Sequence, residues 1–438
     1  MIEPARIQAA IEILDQVRAS LSEDGPSADV LIRKYFRTRR YAGSKDRRAV
    51  TNLVYLVIRD WGFLSEVTDC HIRKMVMLSL RSEKDRAPEM DLAQIFTGQN
   101  HAPAILSEEE QQFLDIKHER LPHQRLNYPL WLESRLQERF PDDFEAELES
   151  LNGRAPFDLR VNLGKVSVDE VEALLKAEAI EYRLGEWAET ALILSGNPRI
   201  VEWKIYQDGL VEIQDEAAQL ATQLADIKPG QQVMDLCAGA GGKTLAAAAY
   251  MDNKGQIFAF DNNERRLKDL KPRAKRANAR ILQGRHVDTA GGKRQNILSE
   301  HIARMDRVIL DVPCSGSGVW RRNPELKWRL TPEALEKYCR IQKNLITEGW
   351  GFVKAGGRMI YMTCSLFHDE NEQQITDFLN AHEGATLISY RSLYGDSRKD
   401  SHRHRELKTL SSIPECLALS PRSHGTDGFF VAILEKKA

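Results

Sequence analysis

Apolar residues in the first part of the chain recur at helical spacing. Ile7, Ala10, Ile11, Leu14 and Val17 form one stripe; Val50, Leu53, Val54, Val57 and Trp61 form another. Strand-like alternation is absent before about residue 125, so a helical domain is expected over 1–85. Residues 82–125 are polar and broken by Pro88, Pro103 and Pro122, which predicts a linker or irregular helices over 86–125. From 126 to 205 amphipathic helices mix with short strands. "FDLRVN" alternates as a strand does, and Ser167 with Glu170 three residues on predicts a capped helix. A small α/β module is expected there.

Over 206–438 strand and helix alternate. "QQVMDLCAGAGGKTLAAAAYM" reads as strand, glycine loop and alanine-rich helix. "GQIFAFD" ends on Asp261, "DRVILD" ends on Asp311, "GRMIYMTCS" carries Cys364, and "GFFVAILEK" is a final strand. This order predicts an α/β fold with a parallel, doubly wound sheet that binds its ligand at the carboxyl ends of the strands.

At 438 residues the chain is long enough for two or three domains. Its 62 Lys+Arg and 64 Asp+Glu exclude a chain that is basic throughout. Two stretches, 33–48 and 264–280, are nonetheless strongly basic and leave local phosphate contact open. No apolar run reaches membrane-spanning length, and the first residues carry acids among their apolar positions. A cytoplasmic protein without a membrane partner is expected. Its six cysteines should then be reduced, and none forms a CxxC pair, so no metal site is expected.

The loop "DLCAGAGGKT" can be read in two ways. Gly242, Lys243 and Thr244 fit the end of a phosphate-binding loop, although Cys237 stands where that loop needs glycine. A nucleoside-binding loop also uses glycines for close approach, and Asp261 at the next strand end suits ribose hydroxyls. The second reading explains more residues.

Cys70, Cys339 and Cys416 read as small hydrophobes. Cys314 in "DVPCSGSG" and Cys364 in "MTCSL" instead follow apolar strands at the ligand-binding edge. A thiol is a strong nucleophile, and Lys243 nearby could raise its ionised fraction. Joined to a methyl donor, the pair suggests methylation of cytosine C5. That carbon becomes nucleophilic only after a thiolate adds to C6. The reaction needs a nucleophilic Cys, an acid for the ring N3 and a second group for release. Asp311, Cys314 and Cys364 are of those types.

"DLCAGAGGK", "AFD", "DVPCSGSG" and "TCS…ENE" together closely resemble the Sun-type RNA cytosine-5 methyltransferases. The resemblance extends over 126–438 through "LRVN", "IQDEAAQL", "RNPELKW" and "TDGFFVAIL". It implies a Rossmann-like class I methyltransferase domain, S-adenosylmethionine as cofactor and RNA as partner. It also implies Cys364 as nucleophile, Cys314 as the residue that assists release, and Asp311 with Lys243 as groups that orient the cytosine. Cys237, Ala238, Gly239, Ala240, Gly241, Gly242, Lys243, Asp261, Asp288 and Asp311 would contact the cofactor. Ala240 replaces the proline usual in the family. "YAGSKDRRAVTNLVYLVIRD" echoes an antiterminator-like helical domain, which favours ribosomal over transfer RNA.

Glu370, Asn371 and Glu372 read as a helix N-terminus, where acids are favourable. Arg321 and Arg322 are open to phosphate contact or to plain solvation. The basic run of Arg398, Lys399, His402, Arg403, His404 and Arg405 reads first as a solvated face. Gln214 and Asp215 could brace the glycine loop, with helix capping by Asp215 the simpler reading. A monomer is expected.

Overall fold

The protein is described by a computed structural model that covers residues 1–22, 25–81, 91–196, 198–288, 291–397 and 406–438. Pro88 and the basic run 398–405 lie outside the described residues. The chain forms two compact units. One comprises 1–153 with 320–331; the other comprises 154–319 with 332–438.

The first unit is helical. α1 (Glu3–Ser22), α2 (Ala28–Thr38), α3 (Ser44–Arg59), α4 (Trp61–Thr68) and α5 (Ile72–Arg81) bury the two predicted stripes in one core. The break between α3 and α4 falls at Asp60, whose carboxylate receives both prongs of Arg120 at 2.6 Å. Short helices at Leu92–Ile95, Glu108–Asp115 and Pro122–Arg125 occupy the stretch expected to be irregular.

The segment 320–331 belongs to this unit although it lies far along the chain. Arg329 donates to the carbonyls of Gly25 and Pro26, both at 2.7 Å. Glu325 accepts from the Ala28 amide at 3.3 Å. Trp328 packs so closely on Gly62 that a Cβ there would stand 2.4 Å from the indole. Arg321 is buried and so is not the exposed phosphate contact or solvated residue that the sequence suggested. Lys327 is buried too, and its ammonium donates to the Asn127 carbonyl and the Asn152 side chain, both at 2.7 Å.

The second unit holds two sheets. The smaller is antiparallel, in the order β2-β3-β1-β4: β1 Phe157–Val161, β2 Tyr182–Leu184, β3 Ala191–Leu194 and β4 Val211–Ile213. The predicted capping box forms, with the Ser167 hydroxyl on the Glu170 amide and the Glu170 carboxylate on the Ser167 amide. The larger sheet runs β10-β12-β9-β8-β5-β6-β7, with β11 paired to β12. Its strands are β5 Gln232–Asp235, β6 Gln256–Asp261, β7 Leu282–His286, β8 Met305–Asp311, β9 Val353–Thr363, β10 Ala385–Ile388, β11 Leu417–Leu419 and β12 Phe429–Lys436.

The sheet is parallel from β7 through β9, but β12, β10 and β11 are antiparallel, which corrects the fully parallel expectation. β12 returns beside β9, and an antiparallel return needs no helical crossover on the sheet face. The stretch "KAGG" makes an irregularity within β9: Met305 pairs Val353, then Arg307 pairs Arg358. The central strands are buried on both faces, hence their continuous apolar runs.

Burial pushes the Lys327 ammonium down to about 7 from its ordinary 10.5. Below about 7 the lysine is protonated in the folded and unfolded chains alike. Between about 7 and 10.5 the folded chain holds fewer protons, so stability rises with pH across that window. Lys327→Met should flatten this rise. Melting temperature followed against pH in both proteins checks it, and an unaltered slope in the variant would refute it.

Candidate active site

The register of the large sheet assembles the site. β8 and β9 are parallel neighbours, and Asp311 stands level with Met362. The loops that follow therefore leave the sheet from one edge. One carries Cys314 and the other Cys364, and the two sulfur atoms lie 3.4 Å apart. Both thiols are free and half-buried. The hydrogen bond to Cys364, followed by desolvation, pushes the Cys314 thiol well above its ordinary value. Lys243 donates to neither thiol in this structure. Its ammonium instead pairs with Asp311 at 2.6 Å and faces the Phe429 ring.

A buried carboxylate ties the two cysteine loops together. Glu370 accepts the Ser315 amide at 2.8 Å, the hydroxyls of Ser315 and Ser365, and the Gln342 side chain at 2.9 Å. The Ser317 hydroxyl accepts the Leu366 amide at 2.7 Å, and the Gly318 amide donates to the Cys364 carbonyl at 2.9 Å. Asn371 donates to the Ser365 carbonyl at 2.9 Å and accepts from Thr363 at 2.5 Å. Burial raises the pKa of Glu370. Glu370, Asn371 and Glu372 do stand at a helix N-terminus, with Asn371 as the N-cap of Glu372–Ala381, but all three are buried. Gly318 is also sterically required, since a Cβ there would meet the Gly428 carbonyl oxygen at 2.1 Å.

The glycine loop lies between β5 and the helix Gly242–Tyr250. Gly239 and Gly241 have φ of +54° and +88°, in the region that favours glycine. A Cβ on Gly241 would strike Leu270 at 2.2 Å, whereas one on Gly239 would meet nothing within 4 Å. Open space thus faces the loop at Gly239. Asp261, at the end of β6, accepts from the Gly239 amide at 2.7 Å and the Asn263 amide at 2.6 Å. Each carboxylate oxygen keeps a lone pair for a further donor. A bare glycine backbone beside a carboxylate fits a nucleoside with a free diol.

The other predicted contacts are spread around this loop. Ala238 is buried, and the Ala240 carbonyl accepts from Arg273 at 2.7 Å. Burial pushes the Cys237 thiol up. Asp288 is exposed beyond β7, its carbonyl held by Arg294 at 2.8 Å. Asp215 caps the helix Glu216–Gln223 through the Ala217 amide at 2.8 Å. Arg160 of "LRVN" is a brace the sequence did not mark: it donates to the Gly242 carbonyl at 2.6 Å and to Gln214. The phosphate-loop reading fails at Thr244, which is buried and donates its hydroxyl to Asp235.

Glu370→Ala should leave the Ser315 amide and Gln342 without their acceptor, costing on the order of 3 kcal/mol. The two thiols should drift apart. Cross-linking of Cys314 to Cys364 by dibromobimane should slow by an order of magnitude or so, and Glu370→Gln, which keeps one acceptor oxygen, should slow it less. Equal rates in all three proteins would refute the clasp.

Residues 222–435 match the family described as 16S rRNA methyltransferase RsmB/F, and 128–201 match its RsmF/B-like ferredoxin-like domain. Ribosomal RNA small subunit methyltransferase B of Vibrio vulnificus is 31% identical over 311 residues, 71% of this chain and 67% of that protein. The protein of the same name from Pectobacterium carotovorum is 33% identical over 70% of this chain and 66% of its own length. The chain thus spans about two thirds of these relatives. A solved structure, PH0851, is 27% identical with TM-score 0.79, covering 100% of this chain and 99% of its own. A methyltransferase homolog from Pyrococcus horikoshii is 26% identical with TM-score 0.61, covering 72% and 97%. On these matches the chain belongs to the 16S rRNA methyltransferase RsmB/F family.

Proposed function

We propose that this protein methylates C5 of a cytosine in RNA, most directly in small-subunit ribosomal RNA, through a covalent bond between Cys364 and C6. The observation that carries the reading is the thiol pair, 3.4 Å apart, at the same sheet edge as the Asp311–Lys243 pair. The family is one of class I, S-adenosylmethionine-dependent enzymes. That cofactor supplies an electrophilic methyl group. Asp261 and the loop 237–243 would hold it, with Asp311 and Asp288 as further contacts. Relatives named for the small ribosomal subunit RNA support the substrate class.

In this reading Cys364 attacks C6 as thiolate, and Asp311, held by Lys243, orients the ring at N3, which takes up a proton relayed from the Lys243 ammonium through Asp311 as negative charge develops on the ring. The electron pair displaced from the C5–C6 double bond makes C5 the nucleophile that takes the methyl group. A base then removes the C5 proton, the double bond re-forms, and the Cys364 sulfur leaves. Cys314 suits that last stage. Its sulfur lies 3.4 Å from that of Cys364, close enough for a second thiol to serve the proton removal and release at the same ring. The target base has to leave its stack or lie in a loop to reach the thiols.

Cys364→Ala should abolish transfer of methyl label from the cofactor to RNA. Cys314→Ala should accumulate an RNA–protein adduct that survives a denaturing gel; normal turnover in that variant would sink its assigned role. Asp261→Ala should weaken cofactor binding, measured by calorimetry, roughly tenfold to a hundredfold. RNA binding without any label transfer by the unmodified chain would instead favour a non-catalytic RNA-binding protein.

A further inference from the structure

α2 is amphipathic: Leu31, Ile32, Tyr35 and Phe36 are buried, while Arg33, Lys34 and Arg37 face solvent. The turn into α3 continues the exposed series with Arg40 and Tyr41, and α3 opens with exposed Lys45, Arg47 and Arg48. Tyr41 is 73% exposed, more than any other large hydrophobic side chain among the described residues.

The only carboxylate within 33–48 is turned inward. Asp46 is buried, accepting from Arg6 at 2.9 Å and from the Gly43 amide at 3.2 Å. Three of the cations are already engaged. Arg33 pairs with Asp29 at 2.7 Å, Arg39 pairs with Glu12 and covers the Tyr35 ring, and Arg47 donates to the Ala42 carbonyl at 2.9 Å. Lys34, Arg37, Arg40, Lys45 and Arg48 have no carboxylate partner among the described residues. The tip is also held in shape: Ala42 is buried, and its amide donates to the Arg39 carbonyl at 3.1 Å.

We propose that the α2–α3 turn is an RNA-docking element, in which Tyr41 stacks on an unpaired base while Lys34, Arg37, Arg40, Lys45 and Arg48 contact the flanking phosphates. This rests on the RNA reading above and extends it to a surface outside the candidate active site. An aromatic plane among cations suits single-stranded or looped RNA, because base stacking needs an exposed base face and the backbone offers a phosphate per nucleotide. A held tip loses little freedom on binding.

The test uses the full chain carrying Cys364→Ala, so that binding is read apart from catalysis, with a fluorescent unstructured oligoribonucleotide and a duplex of equal length. Tyr41→Ala should weaken single-strand binding roughly tenfold, leave duplex binding unchanged and leave the salt dependence unaltered. Lys34→Ala, Arg37→Ala and Arg40→Ala combined should reduce the slope of log affinity against log salt by about 2. With Cys364 restored, the same changes should raise KM for RNA and leave kcat intact. All these side chains are exposed, so an unchanged melting temperature controls for folding. Unchanged affinity and slope would overturn the proposal. Equal loss on duplex and single strand would overturn the stacking role. Loss of binding to polyglutamate but not to RNA would mean an acidic protein partner and overturn it too. If the unmodified chain moves no methyl group while the variants still lose RNA binding, the methylation reading falls and the docking surface stands.

Discussion

The candidate active site depends on the buried carboxylate of Glu370. A strand ladder can bring two loops to the same edge, but it cannot fix where their side chains sit. Glu370 does that by accepting from Ser315, one residue past Cys314, and from Ser365, one residue past Cys364. A buried acceptor that gathers several donors is expensive to disrupt, because each donor it loses is left without solvent. The 3.4 Å separation of the sulfurs is therefore set by neighbouring residues rather than by the cysteines. This lets both thiols remain free for chemistry.

The same edge combines two kinds of precision. At the glycine loop the backbone does the work: positive φ at Gly239 and Gly241 and the close approach of Leu270 leave little choice of residue. Arg160 then ties that loop to the small sheet through the Gly242 carbonyl. At the cysteines, side-chain hydrogen bonds do the work. The difference fits the proposed partners: a nucleoside can be cradled by backbone and one carboxylate, whereas a thiol that adds to a base has to reach a single ring carbon.

The layout of the candidate site was legible in the sequence because its candidate residues sit where apolar runs stop. Asp261, Asp311 and Cys364 each end or follow such a run, so strand periodicity alone places them at one edge. Glu370 was not legible, since acids near the start of a helix are ordinary and its partners lie 55 and 28 positions away. The strand Leu282–His286 is mostly exposed and carries no apolar alternation. Arg321 looked like a surface cation because the sequence does not reveal that 320–331 folds with the helical unit.

Net charge misleads for a related reason. A total of −2 argues against a nucleic-acid partner only if acids and bases share the surface equally. They do not. Among the described residues, buried carboxylates such as Asp158, Glu212, Glu216, Asp235 and Glu370 outnumber buried cations. Carboxylates are used inside as acceptors for amides and hydroxyls, a task that lysine and arginine cannot perform. The fold thus withdraws negative charge from the surface, and an acidic composition becomes compatible with exposed basic faces.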